Sequence, residues 1–136
     1  MKTINQATSI QLLAKAKEIS DNAYAPYSKF KVGAALITPE GMIFTGCNVE
    51  NASYGLTLCA ERSAMSSMVK HGYNEFEAIA IYAKATTDCY PCGACRQWLY
   101  EFGKEALVIV EDADHNPKLV SVSELLPHAF GPDDLV

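Results

Sequence analysis

The sequence predicts an α/β fold built on a mixed sheet with helices on both faces. Two observations carry this. Short apolar runs alternate with longer segments of helical periodicity along the whole chain. The first two strands are joined by a short turn and form a hairpin, which makes the sheet partly antiparallel.

The elements follow in order. Ile10 to Tyr24 places Leu12, Leu13, Ala16, Ile19 and Ala23 on one helical stripe, and Pro26 is expected to end it. A loop covers Ala25 to Phe30. Val32 to Ile37 is a buried strand, Pro39-Glu40-Gly41 a turn, and Met42 to Thr45 the returning strand. Gly46 to Gly55 is polar, irregular and short of apolar anchors, so it is a candidate binding loop. Cys59 to His71 reads as a helix closed by Gly72, and Ala78 to Ala83 as a strand. After a loop from Thr86 to Tyr90, Pro91 is expected to open a helix with Cys92, Cys95, Trp98, Leu99 and Phe102 on one face. Gly103 ends it. Leu107 to Val110 and Lys118 to Val122 are strands, joined by a turn at Asp114 to Pro117. A helical turn at Ser123 to Leu126 stops at Pro127.

The 136 residues suffice for one domain around one core, and no linker, repeat or low-complexity tract divides them. A single catalytic domain over residues 1–136 is expected. No apolar run approaches the ~20 residues that span a bilayer, and the first residues lack an apolar signal core, so a cytoplasmic location is the default expectation. The formal net charge is −5. A grip on phosphate backbones calls for a basic patch, and none is visible, which disfavours nucleic-acid partners.

Five cysteines, an odd number, argue against a disulfide framework. Cys92 and Cys95 lie three positions apart on one helical turn, and Cys59 stands at the start of another predicted helix. Unpaired N–H groups at helix starts stabilise thiolates. Three such sulfurs suit a zinc ion held by three protein ligands with a fourth position open for water. Glu61, two residues past Cys59, is placed to handle protons. Three thiolates leave the zinc centre with a formal charge of −1, and Arg62 and Arg96 are the adjacent cations. Two competing readings remain. Cys89 as a fourth ligand would make a closed structural site, and Cys92-Gly93-Ala94-Cys95 by itself resembles a redox pair. Neither uses Glu61. Cys47 and Cys89 read as small buried or loop residues, and His71, His115 and His128 show no ligand spacing.

Cys59-Ala60-Glu61-Arg62 with Pro91-Cys92-Gly93-Ala94-Cys95-Arg96 resembles the cytidine deaminases, specifically the short nucleoside-salvage type. The likeness runs from about Ala23 to Leu135. It includes Tyr24 to Phe30, Val32 to Ala35, Gly46 to Tyr54 and Glu124 to Pro127. The resemblance implies a three-layer α/β/α fold with a five-stranded mixed sheet and one Zn2+ per subunit on Cys59, Cys92 and Cys95. It implies hydrolysis of cytidine or deoxycytidine to uridine or deoxyuridine, with Glu61 as base and then acid. It further implies that Arg62 bonds ligand sulfurs, and that Asn48 and Glu50 clamp the ribose at its 3′-hydroxyl. Phe30 would pack near the base, and the Ala60 backbone would meet the pyrimidine edge. Tyr54 and Phe130 would reach a neighbouring subunit's pocket in a homotetramer with shared sites. Met1 to Asn5 has no clear counterpart, and His128 with Gly131-Pro132 alters the tail. Rival functions are a deaminase of another small aminopyrimidine nucleoside, a polynucleotide-editing deaminase, and a non-catalytic zinc or redox protein.

Overall fold

The computed structural model describes residues 3–135; Met1, Lys2 and Val136, which fall in the predicted domain and its N-terminal stretch, lie outside them. Among the described residues four helices and five strands follow one another: α1 (Gln6–Ser20), β1 (Val32–Ile37), β2 (Ile43–Cys47), α2 (Ala60–Lys70), β3 (Ala78–Ala83), α3 (Gly93–Gly103), β4 (Leu107–Glu111), β5 (Pro117–Ser121) and α4 (Val122–Leu125). Short 3-10 turns occupy Tyr54–Leu56 and Pro132–Leu135. The sheet order is β2-β1-β3-β4-β5. Only β3 and β4 run parallel, with α3 as their crossover, so the sheet is mixed as expected.

The central strands β1, β3 and β4 read as nearly continuous apolar runs because both their faces are covered. Alternate residues go to opposite sides. Val32, Ala34, Leu36, Ile79, Ile81, Val108 and Val110 meet α2, α3 and α4 through Ala64, Met65, Met68, Leu99 and Val122. Ala35, Ala78, Ala80, Leu107 and Ile109 meet α1 through Leu12, Leu13 and Ala16. The result is three layers, with α1 alone on one face. The β1–β2 hairpin closes at Thr38, whose N–H donates to the Met42 carbonyl at 2.8 Å while Gly41 takes a φ of +90°.

Several boundaries differ from the sequence reading. Helix α1 starts at Gln6 because Asn5 caps it, its Oδ1 accepting from the Thr8 N–H at 2.8 Å. It ends at Ser20, before Pro26, because Tyr24 leaves the helix to exchange backbone bonds with Asn48 and Glu50. Gly46 and Cys47 belong to β2. The loop after them is better anchored than its polarity suggests: Val49 bridges both Tyr24 and Leu58. Pro91 stands before α3 rather than in it, since Cys92 is the N-cap. Cys95 and Leu99 are buried on α3, whereas Cys92 and Trp98 are exposed, so the predicted shared face is narrower.

Candidate active site and metal centre

Two helix starts converge. Cys59 is the N-cap of α2 and Cys92 the N-cap of α3, and neither side chain caps its own helix. Cys95 follows on the first turn of α3. The Sγ atoms of these three residues lie within 4.8 Å of one another, and those of Cys59 and Cys92 are 3.9 Å apart. Tetrahedral zinc with Zn–S bonds of ~2.3 Å separates its sulfurs by about 3.8 Å, so the set fits such an ion. Soft thiolates select zinc over magnesium or calcium. Cys89 is not in the cluster. It is half-buried against the core, and burial, together with the nearby Glu61 carboxylate, pushes its thiol up to about 11. A four-cysteine structural centre is therefore not what the chain builds.

The electrostatics of the cluster centre on Cys59. A hydrogen bond with the Cys95 thiol and the Arg62 guanidinium bring the Cys59 thiol down to about 5, against its partial burial. The hydrogen bond with Cys59, with burial behind it, shifts the Cys95 thiol upward. Metal binding through thiolates would release protons here. Arg62 Nη2 donates to Cys59 Sγ at 3.4 Å and to the Thr57 carbonyl at 3.2 Å. Arg96 was the other expected cation, but it turns away. Its Nε donates to the Pro91 carbonyl at 2.7 Å and its Nη1 to the Leu125 carbonyl at 2.9 Å, tying α3 to α4. Glu61, on the first turn of α2, is only 5% exposed. Burial pushes its carboxyl up to about 7, and the Cys59 charge adds to the shift.

Residues 6–111 match the family described as the cytidine and deoxycytidylate deaminase zinc-binding region. The chain belongs to this family. It is 42% identical over 126 residues to the cytidine deaminase of Sporosarcina psychrophila, covering 92% of this chain and 93% of that protein. It is 44% identical over 135 residues to the probable cytidine deaminase of Dictyostelium discoideum, covering 98% and 90%. The crystal structure of cytidine deaminase from Burkholderia pseudomallei superposes with a TM-score of 0.84 at 48% identity, over 89% of this chain and 98% of that one. The three-layer cytidine-deaminase fold is thus shared, and the Cys59, Cys92 and Cys95 group is a centre suited to the zinc that this deaminase family binds.

The other expected site residues are distributed around this centre. Ala60 opens α2, so its N–H sits in the first turn, where no intrahelical acceptor exists. Asn48 is buried, and its amide latches the preceding loop: Nδ2 donates to the Phe30 carbonyl at 2.7 Å and Oδ1 accepts from the Val32 N–H at 2.9 Å. One amide N–H is left over. Glu50 is equally engaged. Its Oε1 accepts from the N–H groups of Tyr27 and Ser28 at 3.0 and 3.1 Å, and its Oε2 accepts from the Ser28 hydroxyl. These bonds, the Ser28 hydroxyl foremost, hold the Glu50 carboxyl below the usual carboxylate range. Tyr27, Ser28, Glu50, Tyr54 and Thr57 line a cleft of about 290 Å³. Tyr54 packs at a tilt against Tyr27, ring centroids 5.9 Å apart, but is 74% exposed. Phe130 is 61% exposed, its carbonyl accepting from Gln97 Nε2 on α3 at 2.8 Å. Sequence reasoning gave no role to Ser28 or Thr57. The motif from Tyr24 to Phe30 contained Ser28, but its partner stands 22 residues away.

Proposed function

We propose that this chain deaminates cytidine and deoxycytidine hydrolytically, giving uridine and deoxyuridine and releasing ammonia, as a zinc-dependent enzyme of pyrimidine salvage. The observation that carries the reading is one buried carboxylate, Glu61, on the helix turn whose N-cap is one of three clustered cysteines. Cys59, Cys92 and Cys95 would hold one zinc ion per subunit. When bound, zinc supplies the Lewis acidity that makes water nucleophilic near neutral pH. Glu61 removes the proton of the attacking water and delivers it to ring nitrogen 3 of cytosine. Oxygen bonds to carbon 4, which becomes tetrahedral. Glu61 then takes the remaining proton from the oxygen now on carbon 4 and hands it to the exocyclic amine; the carbon–nitrogen bond breaks as the carbon–oxygen double bond forms, and ammonia leaves. One carboxylate thus serves as base and acid in turn. Its burial keeps bulk water from competing for the proton. Arg62 offsets part of the negative charge of the thiolates through its bond to Cys59.

Substrate is held, in this reading, by Asn48 and Glu50 at the sugar, Phe30 at the base and the Ala60 N–H at the pyrimidine edge. The cleft beside Glu50, at about 290 Å³, falls just below the ~300–1,000 Å³ range of small-ligand sites. That agrees with walls extended beyond the chain's own Tyr54 by Tyr54 and Phe130 of neighbouring copies in a homotetramer. Residues 1–136 act as one catalytic domain, and the protein works in the cytoplasm. Among the described residues no helix is long and apolar enough to cross a membrane. The test is a panel of nucleosides followed by loss of cytosine absorbance. Cytidine and deoxycytidine should be consumed with stoichiometric ammonia. Turnover in protein shown by elemental analysis to be zinc-free would overturn the mechanism.

A further inference from the structure

We infer that Ser28 is a positioning residue for sugar recognition: its hydroxyl fixes the rotamer of Glu50 that meets the 3′-hydroxyl of the nucleoside. The inference rests on the clamp role proposed for Glu50. Three observations carry it. First, the direction of the hydroxyl is determined. The Phe30 N–H donates to Ser28 Oγ at 3.0 Å, which occupies a lone pair and leaves the hydroxyl proton for Glu50 Oε2. Second, the carboxylate is pinned through both oxygens, since Oε1 already accepts two backbone N–H groups. A carboxylate offers about four acceptor positions, so one remains for a substrate hydroxyl, in a direction set by the other three. Third, the loop is held under strain. Lys29, between Ser28 and Phe30, has a φ of +63°, a conformation disfavoured for a residue with a side chain. Such a residue persists where its surroundings over-determine it. Here Glu50 holds the residues before it and Asn48 holds the Phe30 carbonyl and the Val32 N–H after it.

Removing the hydroxyl leaves Oε2 without its donor and frees the carboxylate to rotate. The loss falls on substrates that use Glu50 and spares those that do not. The experiment compares cytidine with 3′-deoxycytidine as substrates for the zinc-loaded wild type and for Ser28→Ala, Ser28→Thr and Glu50→Gln. Ser28→Ala should lower kcat/KM for cytidine by about 10- to 100-fold, mainly through KM, while 3′-deoxycytidine changes by less than about threefold. Ser28→Thr restores the hydroxyl and should return the cytidine preference to within about threefold of wild type. Equal losses on both substrates in Ser28→Ala would mean a merely structural role and overturn the inference. So would a fall in kcat with KM unchanged, or a folded Ser28→Thr that has lost the preference. Glu50→Gln separates the two levels. If it leaves the cytidine preference intact, the clamp reading itself fails. If it abolishes the preference while Ser28→Ala keeps it, the clamp stands and the role of Ser28 falls. Should Ser28→Ala not fold, Ser28→Cys, which keeps the side-chain size but donates only weakly, takes its place with the same expected and overturning outcomes.

Discussion

Gly46→Ala offers a sharp test of how the fold places the chemistry. Gly46 lies on β2 beneath the first turn of α2. A Cβ there would stand 2.4 Å from the Ala64 nitrogen, 2.7 Å from the Ala60 carbonyl oxygen and 2.8 Å from the Ser63 carbonyl carbon. All three are backbone atoms, so no side chain can swing aside. Ordinary contact begins near 3.4 Å, so α2 must lift by about 1 Å or the helix turn must break. Overpacking of this kind costs about 1–3 kcal/mol. For a domain of this length that lowers Tm by roughly 5–15 °C. The catalytic effect should be larger than the stability effect, because the displaced turn carries Cys59, Ala60 and Glu61 while Cys92 and Cys95 stay on α3. Misplacement by 1 Å costs about 10²-fold in rate.

The assay is kcat/KM for cytidine per folded molecule, with zinc content and Tm measured on the same sample. Gly33→Ala is the contrast. Its Cβ would meet the Ala16 carbonyl oxygen at 1.9 Å and the Ser20 nitrogen at 2.8 Å, both on α1. Helix α1 carries no expected site residue, so this variant should lose more stability while its folded fraction keeps kcat within about threefold. If Gly46→Ala retains zinc and kcat/KM within about threefold of wild type, the close approach of β2 and α2 does not set the site geometry.

Glu61→Gln should keep its zinc but lose at least ~10²-fold in kcat, because an amide cannot accept the water proton; near-normal turnover removes Glu61 from the mechanism. Chelation should abolish turnover and also lower Tm, both recovering with added zinc; an unchanged melting curve would mean the ion contributes nothing to the fold. If Glu50 clamps the sugar, its negative charge and the chain's overall −5 should favour cytidine over cytidine monophosphate; equal kcat/KM for the two would refute the clamp. Sedimentation should show a tetramer, with activity lost on dilution to monomers; a fully active monomer would exclude shared sites.

The metal centre was legible in the sequence because its geometry is local. Cys92 and Cys95 share a helical turn by spacing alone, and Cys59 and Glu61 share another. The central strands β1, β3 and β4 were legible because each is a nearly continuous apolar run. What the sequence hid depends on contacts between distant residues. Glu50 reaches back 22 residues to Ser28, and Asn48 reaches back 18 to Phe30. An Asn and a Glu in a polar loop look the same whether they face solvent or latch another segment. Arg96 illustrates the opposite error. Adjacency to Cys95 suggested a role at the sulfurs, yet successive residues on a helix point about 100° apart, and Arg96 serves the Pro91 and Leu125 carbonyls instead. The true start of α1 rested on Asn5, whose capping value was masked by a polar first turn with little apolar periodicity.

The helix caps show where the chain gives up local stability for chemistry. Helices α1 and α4 begin with ordinary side-chain caps, Asn5 accepting from Thr8 and Ser121 from Glu124. Helices α2 and α3 begin with Cys59 and Cys92, whose side chains make no capping bond. A missing cap costs about 1 kcal/mol per helix. The two helices that forgo it are the two whose N-termini meet, and the side chains that fail to cap are the ones that cluster with Cys95. The orphan N–H groups of both first turns then contribute partial positive charge to a centre of three thiolates, with Arg62 adding a full one. Three thiolates within 4.8 Å of one another repel. With an ion, the same sulfurs tie α2 to α3. Metal binding and the relative placement of these helices are therefore one equilibrium. The Glu61 carboxylate on α2 inherits its position from it.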